Sequence, residues 1–188
     1  MTEPITVKTM PVDTQLPVFV CDLSSFTVPL QLARQAIDEV RATHPDSTPS
    51  NVQATYMSPW QSHALNPRFG PLCHSVVLIA QNCARQIGGA RLADLNMDMV
   101  VSDCWGALYG PGDLAKPHNH FPADFGAVVY LEAEPGCAPI VFGGRVPVQP
   151  VPGTLVLFPG ILTHEVPPTA GRRVVVAMNL HKKAMFPA

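Results

Sequence analysis

The chain has no C-x-x-C pair, no lysine or arginine run beyond Lys182-Lys183, and no apolar stretch near the ~20 residues that a membrane span requires. Each absence excludes something. The five cysteines, Cys21, Cys73, Cys83, Cys104 and Cys137, are odd in number and scattered. That argues against a disulfide frame or a zinc knot and for reduced thiols in a cytoplasmic protein. Charged residues are only 14% of the chain and the net charge is −2. No nucleic-acid surface and no polybasic membrane patch is expected, so the substrate should be a small molecule or a short peptide segment. The N-terminal MTEPITVKTMPVD has neither a basic region nor an apolar core, so no signal peptide is visible. G-x-G-x-x-G, P-loop, G-x-S-x-G and H-E-x-x-H stretches are all missing, which removes the commonest nucleotide, hydrolase and zinc-protease signatures.

What is abundant is punctuation. Twenty-one prolines and thirteen glycines divide a 47% hydrophobic sequence into short pieces, as in a β-rich fold with many turns. A first strand is expected at 17–22. Leu30, Ala33, Ile37 and Val40 recur at helical spacing and predict a helix from Pro29 to Ala42, with Pro29 at its first turn. Residues 43–70 read as a long loop. Leu72, Val76, Ile79, Cys83 and Ile87 predict a second helix, stopped by Gly88-Gly89. Beyond residue 96 come short apolar runs, read as strands near 98–109, 116–121, 126–132, 139–142, 154–158, 163–166 and 172–180. The expected fold is mainly β, with two N-terminal helices packed on an antiparallel sandwich of jelly-roll type. Residues 1–188 are expected to form one domain: 1–95 hold the first strand, the helices and the long loop, and 96–181 the core. Exposed strand edges and the apolar content are compatible with a homodimer.

The chemistry concentrates in His118-Asn119-His120, a distant His164, and Arg173 nine residues beyond it. Alternate residues of a strand face one way, so His118 and His120 can present two imidazoles together, with His164 as the third. Imidazole suits Fe, Zn, Cu and Ni, so these residues do not choose the metal. His44, His63, His74 and His181 have no such spacing.

Four stretches carry a resemblance. Trp105-Gly-Ala-Leu-Tyr109 continuing to His118-Asn-His120 resembles the first metal-binding strand of 2-oxoglutarate/Fe(II)-dependent oxygenases. Gly126-Ala-Val-Val-Tyr130-Leu is similar to the strand that follows it there. Gly153 to Pro168, with His164, resembles the segment of the distal histidine. Arg173-Val-Val-Val-Ala-Met-Asn179 resembles the closing strand. A subgroup of small oxygenases, some phage-borne, carries His-x-His and an upstream Trp-Gln-Ser, to which Trp60-Gln61-Ser62 is similar. The resemblance implies a double-stranded β-helix whose cofactors are Fe(II) and 2-oxoglutarate. It implies hydroxylation of an amino-acid, peptide or other small substrate, coupled to decarboxylation of 2-oxoglutarate by dioxygen. His118 and His164 would be metal ligands and Arg173 the anchor of the distal carboxylate, with Tyr109 beside it. Trp60 and Gln61 would line the substrate mouth.

His120 stands where the family has Asp or Glu. His120 is expected to be the third ligand, with Asp124, which could fold back, as the reserve carboxylate. Asp113 lies too early and reads as a turn residue. Two other functional readings stay open: a three-histidine cupin-type dioxygenase or binding protein that does not use 2-oxoglutarate, and a non-catalytic β-sandwich with a vestigial site.

Overall fold

The computed structural model describes residues 6–185. The first half of the chain supplies β1 (Phe19–Asp22), α1 (Thr27–Thr43), β2 (Val52–Gln53), β3 (Tyr56–Met57), α2 (Ser62–Leu65) and α3 (Gly70–Gly88). The second half supplies β4 (Met97–Tyr109), β5 (Leu114–His118), β6 (Phe125–Ala133), β7 (Ile140–Phe142), β8 (Val146–Val148), β9 (Thr154–Pro159), β10 (His164–Val166) and β11 (Arg173–Ala184). The fold is mainly β. One sheet runs β1-β9-β6-β11-β4-β3 and the other β2-β5-β10-β7-β8, with antiparallel neighbours throughout.

Strand alternation divides the apolar residues between two layers. On β11, Val174, Val176 and Met178 face outward into a core shared with the helices, whereas Arg173, Val175 and Ala177 face inward. The outward core is closed by Ala33, Ala36, Ile37 and Val40 of α1 and by Leu72, Val76, Ala80 and Cys83 of α3. Burying one Ile or Leu side chain there contributes about 1.5–3 kcal/mol. Gly106 of β4 lets α1 approach, because a Cβ at that position would run into the Ile37 side chain. The inward layer joins Tyr109, Tyr130, Val156 and Phe158 to Ala115, Ile140, Phe142 and Val166 of the second sheet.

Several boundaries differ from the sequence expectation. The first helix begins at Thr27, so Pro29 occupies its third residue. There its missing N–H is still one of the donors a helix start leaves free. The second ends at Gly88 with Gly89 at φ +74°, a left-handed stop. Residues 43–70 are not a bare loop: they hold β2, β3, α2 and a 3-10 turn at Pro67–Phe69. Strands of two residues are too short to show a period. No described helix is long and apolar enough to cross a membrane. All five cysteines are unpaired; Cys73, Cys83 and Cys104 are buried.

Candidate metal centre

β5 stops at His118, earlier than the expected 116–121, because the chain turns at once. Asn119 Oδ1 accepts from the Phe121 N–H at 3.1 Å, and Pro122 has no N–H for a ladder. His120 therefore lies just past the strand, held by its own N–H donating to Gly160 O at 2.7 Å. His164 opens β10 directly opposite His118. The ring of His164 is 4.3 Å from that of His118 and 5.2 Å from that of His120, and one ligand atom from each histidine lies within 4.8 Å of the others.

The protonation states follow from hydrogen bonding. His118 Nδ1 meets Lys116 O at 2.7 Å and His164 Nδ1 meets Leu162 O at 3.2 Å. A carbonyl oxygen only accepts, so each Nδ1 carries the proton and each Nε2 keeps its lone pair. For His120 the partner is Asn179 Oδ1 at 2.6 Å. Which way that amide points is fixed from behind: Asn179 Nδ2 donates to Asp103 Oδ2 at 3.0 Å, and a carboxylate only accepts. Burial pushes His164 down to about 3 and His120 to about 4, and holds His118 below its ordinary value. Three neutral imidazoles with oriented Nε2 lone pairs form a donor set that fits a divalent transition metal.

An inward cavity runs from these histidines to Arg173, between Val52, Val128, Ile140, Val166, Val175 and Ala177. Arg173 is 2% exposed, and its neighbour Arg172 points out to solvent. One guanidinium nitrogen donates to Ala138 O at 2.8 Å, while Nε is buried without a partner. A buried orphan donor on a guanidinium calls for an anion. Tyr109 and Tyr130 line the same end. Burial raises the Tyr109 phenol, against the opposing pull of Arg173, and pushes Tyr130 up to about 12. Both hydroxyls thus stay protonated and available as donors. The cavity pairs metal-type donors at one end with a carboxylate-type cradle at the other, as a chelating diacid requires.

A second cavity opens outward from His118 and His120, lined by Trp60, Trp105, Phe121, Pro122, Asp103, Asn179 and His181 among others. Trp60 meets Trp105 edge to face with centroids 4.7 Å apart, and Trp105 stacks on His120 at 6.0 Å. Gln61, read with Trp60 as a mouth residue, bridges Cys104 and does not line this cavity. Asp124 is elsewhere engaged: its carboxylate accepts from the Lys182 N–H at 2.7 Å and pairs with Lys182 Nζ at 2.8 Å. Asp113 staples a turn, accepting from Thr55 N–H at 2.6 Å and Gly110 N–H at 2.7 Å.

Asn179 and Asp103 are additions to the site. They are 76 residues apart and meet through strand register, Asn179 facing Asp103 on β4 and Gly126 on β6. Gly126 is bare for a reason: a Cβ there would sit 2.5 Å from Phe158 and 3.0 Å from Cγ of His120.

No protein-family model and no curated protein sequence matches the chain. Solved structures do. A prolyl hydroxylase of Trichoplax adhaerens, in complex with a hypoxia inducible factor oxygen degradation domain peptide fragment, aligns with TM-score 0.62 at 15% identity, over 86% of this chain and 82% of its own. The viral collagen prolyl hydroxylase of Paramecium Bursaria Chlorella virus-1, a 2OG complex, aligns with TM-score 0.57 at 16% identity, over 87% and 94%. SnoN, a non-heme alpha ketoglutarate dependent epimerase from nogalamycin biosynthesis, aligns with TM-score 0.63 at 13% identity, over 89% and 77%. The chain therefore shares the fold of the 2-oxoglutarate/Fe(II) oxygenases.

Proposed function

We infer that this protein is a non-haem Fe(II), 2-oxoglutarate-dependent oxygenase built on a double-stranded β-helix. The observation that carries the reading is the shared inward cavity: three Nε2 lone pairs converge at one end, and the orphan Nε of a buried arginine waits at the other. His118, His120 and His164 would hold the iron; Arg173, with Tyr109 beside it, would bind the far carboxylate of 2-oxoglutarate through its planar fork. When bound, the pair supplies an oxidation in which dioxygen converts 2-oxoglutarate to succinate and carbon dioxide and a substrate C–H to C–OH. The apolar walls exclude water from the cavity, and the two phenols supply donors to the carboxylate without losing their protons.

The outer cavity supports a substrate class. Its lining mixes aromatic and apolar side chains with histidines, the uncharged polar Asn51, Ser102, Asn119 and Asn179, and a single carboxylate, and it contains no lysine or arginine among the described residues. A free amino acid would find no counter-ion there for its carboxylate, whereas a peptide segment or a neutral small molecule needs none. The peptide-bound relative above is in keeping with this, and the epimerase shows that the fold serves other outcomes too.

A second reading is favoured by the third histidine itself. A three-histidine dioxygenase of cupin type would use Arg173 for its own substrate's carboxylate and need no 2-oxoglutarate. Anaerobic titration of the Fe(II)-loaded protein with 2-oxoglutarate separates the two. A visible charge-transfer band, lost in His120→Ala and kept in Asp124→Ala, supports the oxygenase and the ligand set. Iron binding without a band, with oxygen uptake on a thiol alone, supports the second reading. Failure to bind any metal leaves a non-catalytic sandwich.

A further inference from the structure

Three neutral imidazoles leave a divalent metal one charge more positive than two imidazoles and a carboxylate would. A carboxylate nevertheless stands two hydrogen bonds away. His120 Nδ1 donates to Asn179 Oδ1 at 2.6 Å, Asn179 Nδ2 donates to Asp103 Oδ2 at 3.0 Å, and Ser102 Oγ steadies the same oxygen at 2.9 Å. We propose that Asp103 is a positioning residue that acts on the metal through Asn179 and His120, supplying by relay the negative charge that the ligands lack. The inference rests on the metal reading above.

Four observations single out this chain of contacts. It ends on His120, the histidine in the carboxylate slot, whereas His118 and His164 donate only to backbone carbonyls. Asp103 has no ion-pair partner among the described residues, so no neighbouring cation cancels its charge, in contrast to Asp124 with Lys182. Trp105 covers the His120 ring and Phe158 meets it edge-on, so the His120 end of the relay is shielded from water, where polar groups polarise one another more strongly. Finally, Asn179 breaks the apolar inward series of Val175 and Ala177 on its own strand. An apolar residue would suit that face better unless the amide were needed. A carboxylate drawing on a ligating imidazole through its N–H raises the basicity of the other nitrogen.

The test loads the full chain with Co(II) or Fe(II) alone and reads affinity by chelator competition, the Co(II) absorption spectrum and the Fe(III)/Fe(II) potential. Asp103→Asn keeps an acceptor for Asn179 and removes only the charge. It should weaken metal binding by about tenfold or more, as loss of such partners does elsewhere, and shift the potential to more positive values. Asn179→Leu should do the same, and the double variant should lose little more, since both act through one path. Asn179→Asp placed in the Asp103→Asn background should restore binding by putting a carboxylate directly on His120. Circular dichroism and melting establish that each variant is folded. Asp103→Asn within twofold of wild type with an unchanged potential overturns the proposal, as does an equal shift in Asp124→Asn, which would make the effect one of net charge. A wild-type protein that binds no metal overturns the metal reading itself, and the relay with it.

Discussion

The guanidinium carbon of Arg173 sits 4.1 Å above the ring of Tyr109, its partner directly opposite across β4 and β11. The guanidinium, planar of itself, lies over the ring, and its buried Nε has no hydrogen-bond partner. Arg173→Lys keeps the charge but loses the planar fork and the stacking. It should weaken 2-oxoglutarate binding by about 10–100-fold, the scale of a lost charge-assisted hydrogen bond of ~1.5–3 kcal/mol. Titration of the anaerobic Fe(II) protein, followed by the charge-transfer band, measures it. An unchanged affinity would remove Arg173 from the site.

Metal binding should be visible as stability. A ligand present at a hundred times its dissociation constant adds about 2.7 kcal/mol, or roughly 5–10 °C in Tm for a chain of this size. His120→Ala and His164→Ala should abolish the upward shift on adding Zn(II) or Fe(II), and chelation should reverse it in wild type. Asp124→Ala should retain it, because that carboxylate is spent on Lys182. A shift lost in Asp124→Ala and kept in His120→Ala would exchange their roles.

The metal-free protein should weaken in acid. His120 titrates at about 4 and His164 at about 3 when folded, against an ordinary value near ~6.5 in the unfolded chain. Between those values the unfolded chain binds more protons, so stability rises with pH. The contribution is complete above pH ~6.5 and drains away as pH falls towards 4 and 3, by up to ~1.4 kcal/mol per unit for each histidine. Melting curves from pH 8 to 4.5 should show a falling Tm, and the His164→Ala variant a shallower fall. A flat profile would contradict the buried neutral imidazoles.

Gly126→Ala should disturb both the fold and the centre. The new methyl meets Phe158 and His120 together, and overpacking of this kind costs about 1–3 kcal/mol. Denaturant titration and metal affinity should both fall. Gly70→Ala, where a Cβ meets nothing within 4 Å, is the matched control and should change neither.

Long-period features of this protein were legible and short or non-local ones were not. The stripe of Leu30, Ala33, Ile37 and Val40 marks a buried helix because it repeats over several turns, and the β-rich second half follows from its regular turns. The two-residue strands β2 and β3 have no period to detect, although they extend both sheets. At the site, His118, His120 and His164 share a sequence pattern and do come together. Their alternation was expected from a strand that in fact ends at His118, so the right pair met for a different reason: the turn at Asn119 and the Gly160 carbonyl orient His120. Asp103 and Asn179 carry no local mark, since only the register of β4 on β11 makes them neighbours.

That register also sets a ruler. Arg173 and Asn179 lie six residues apart on one strand, about 20 Å at ~3.3 Å per residue. The two ends of the inner chemistry are thus spaced by unbroken backbone and not by loops. Inserting or deleting one residue between them would turn one end of the apparatus outward. The outer rim around Trp60 and Phe121, where the chain is exposed and irregular, is under no such constraint. The rim is thus the adjustable part of the site, and the span along β11 its fixed part.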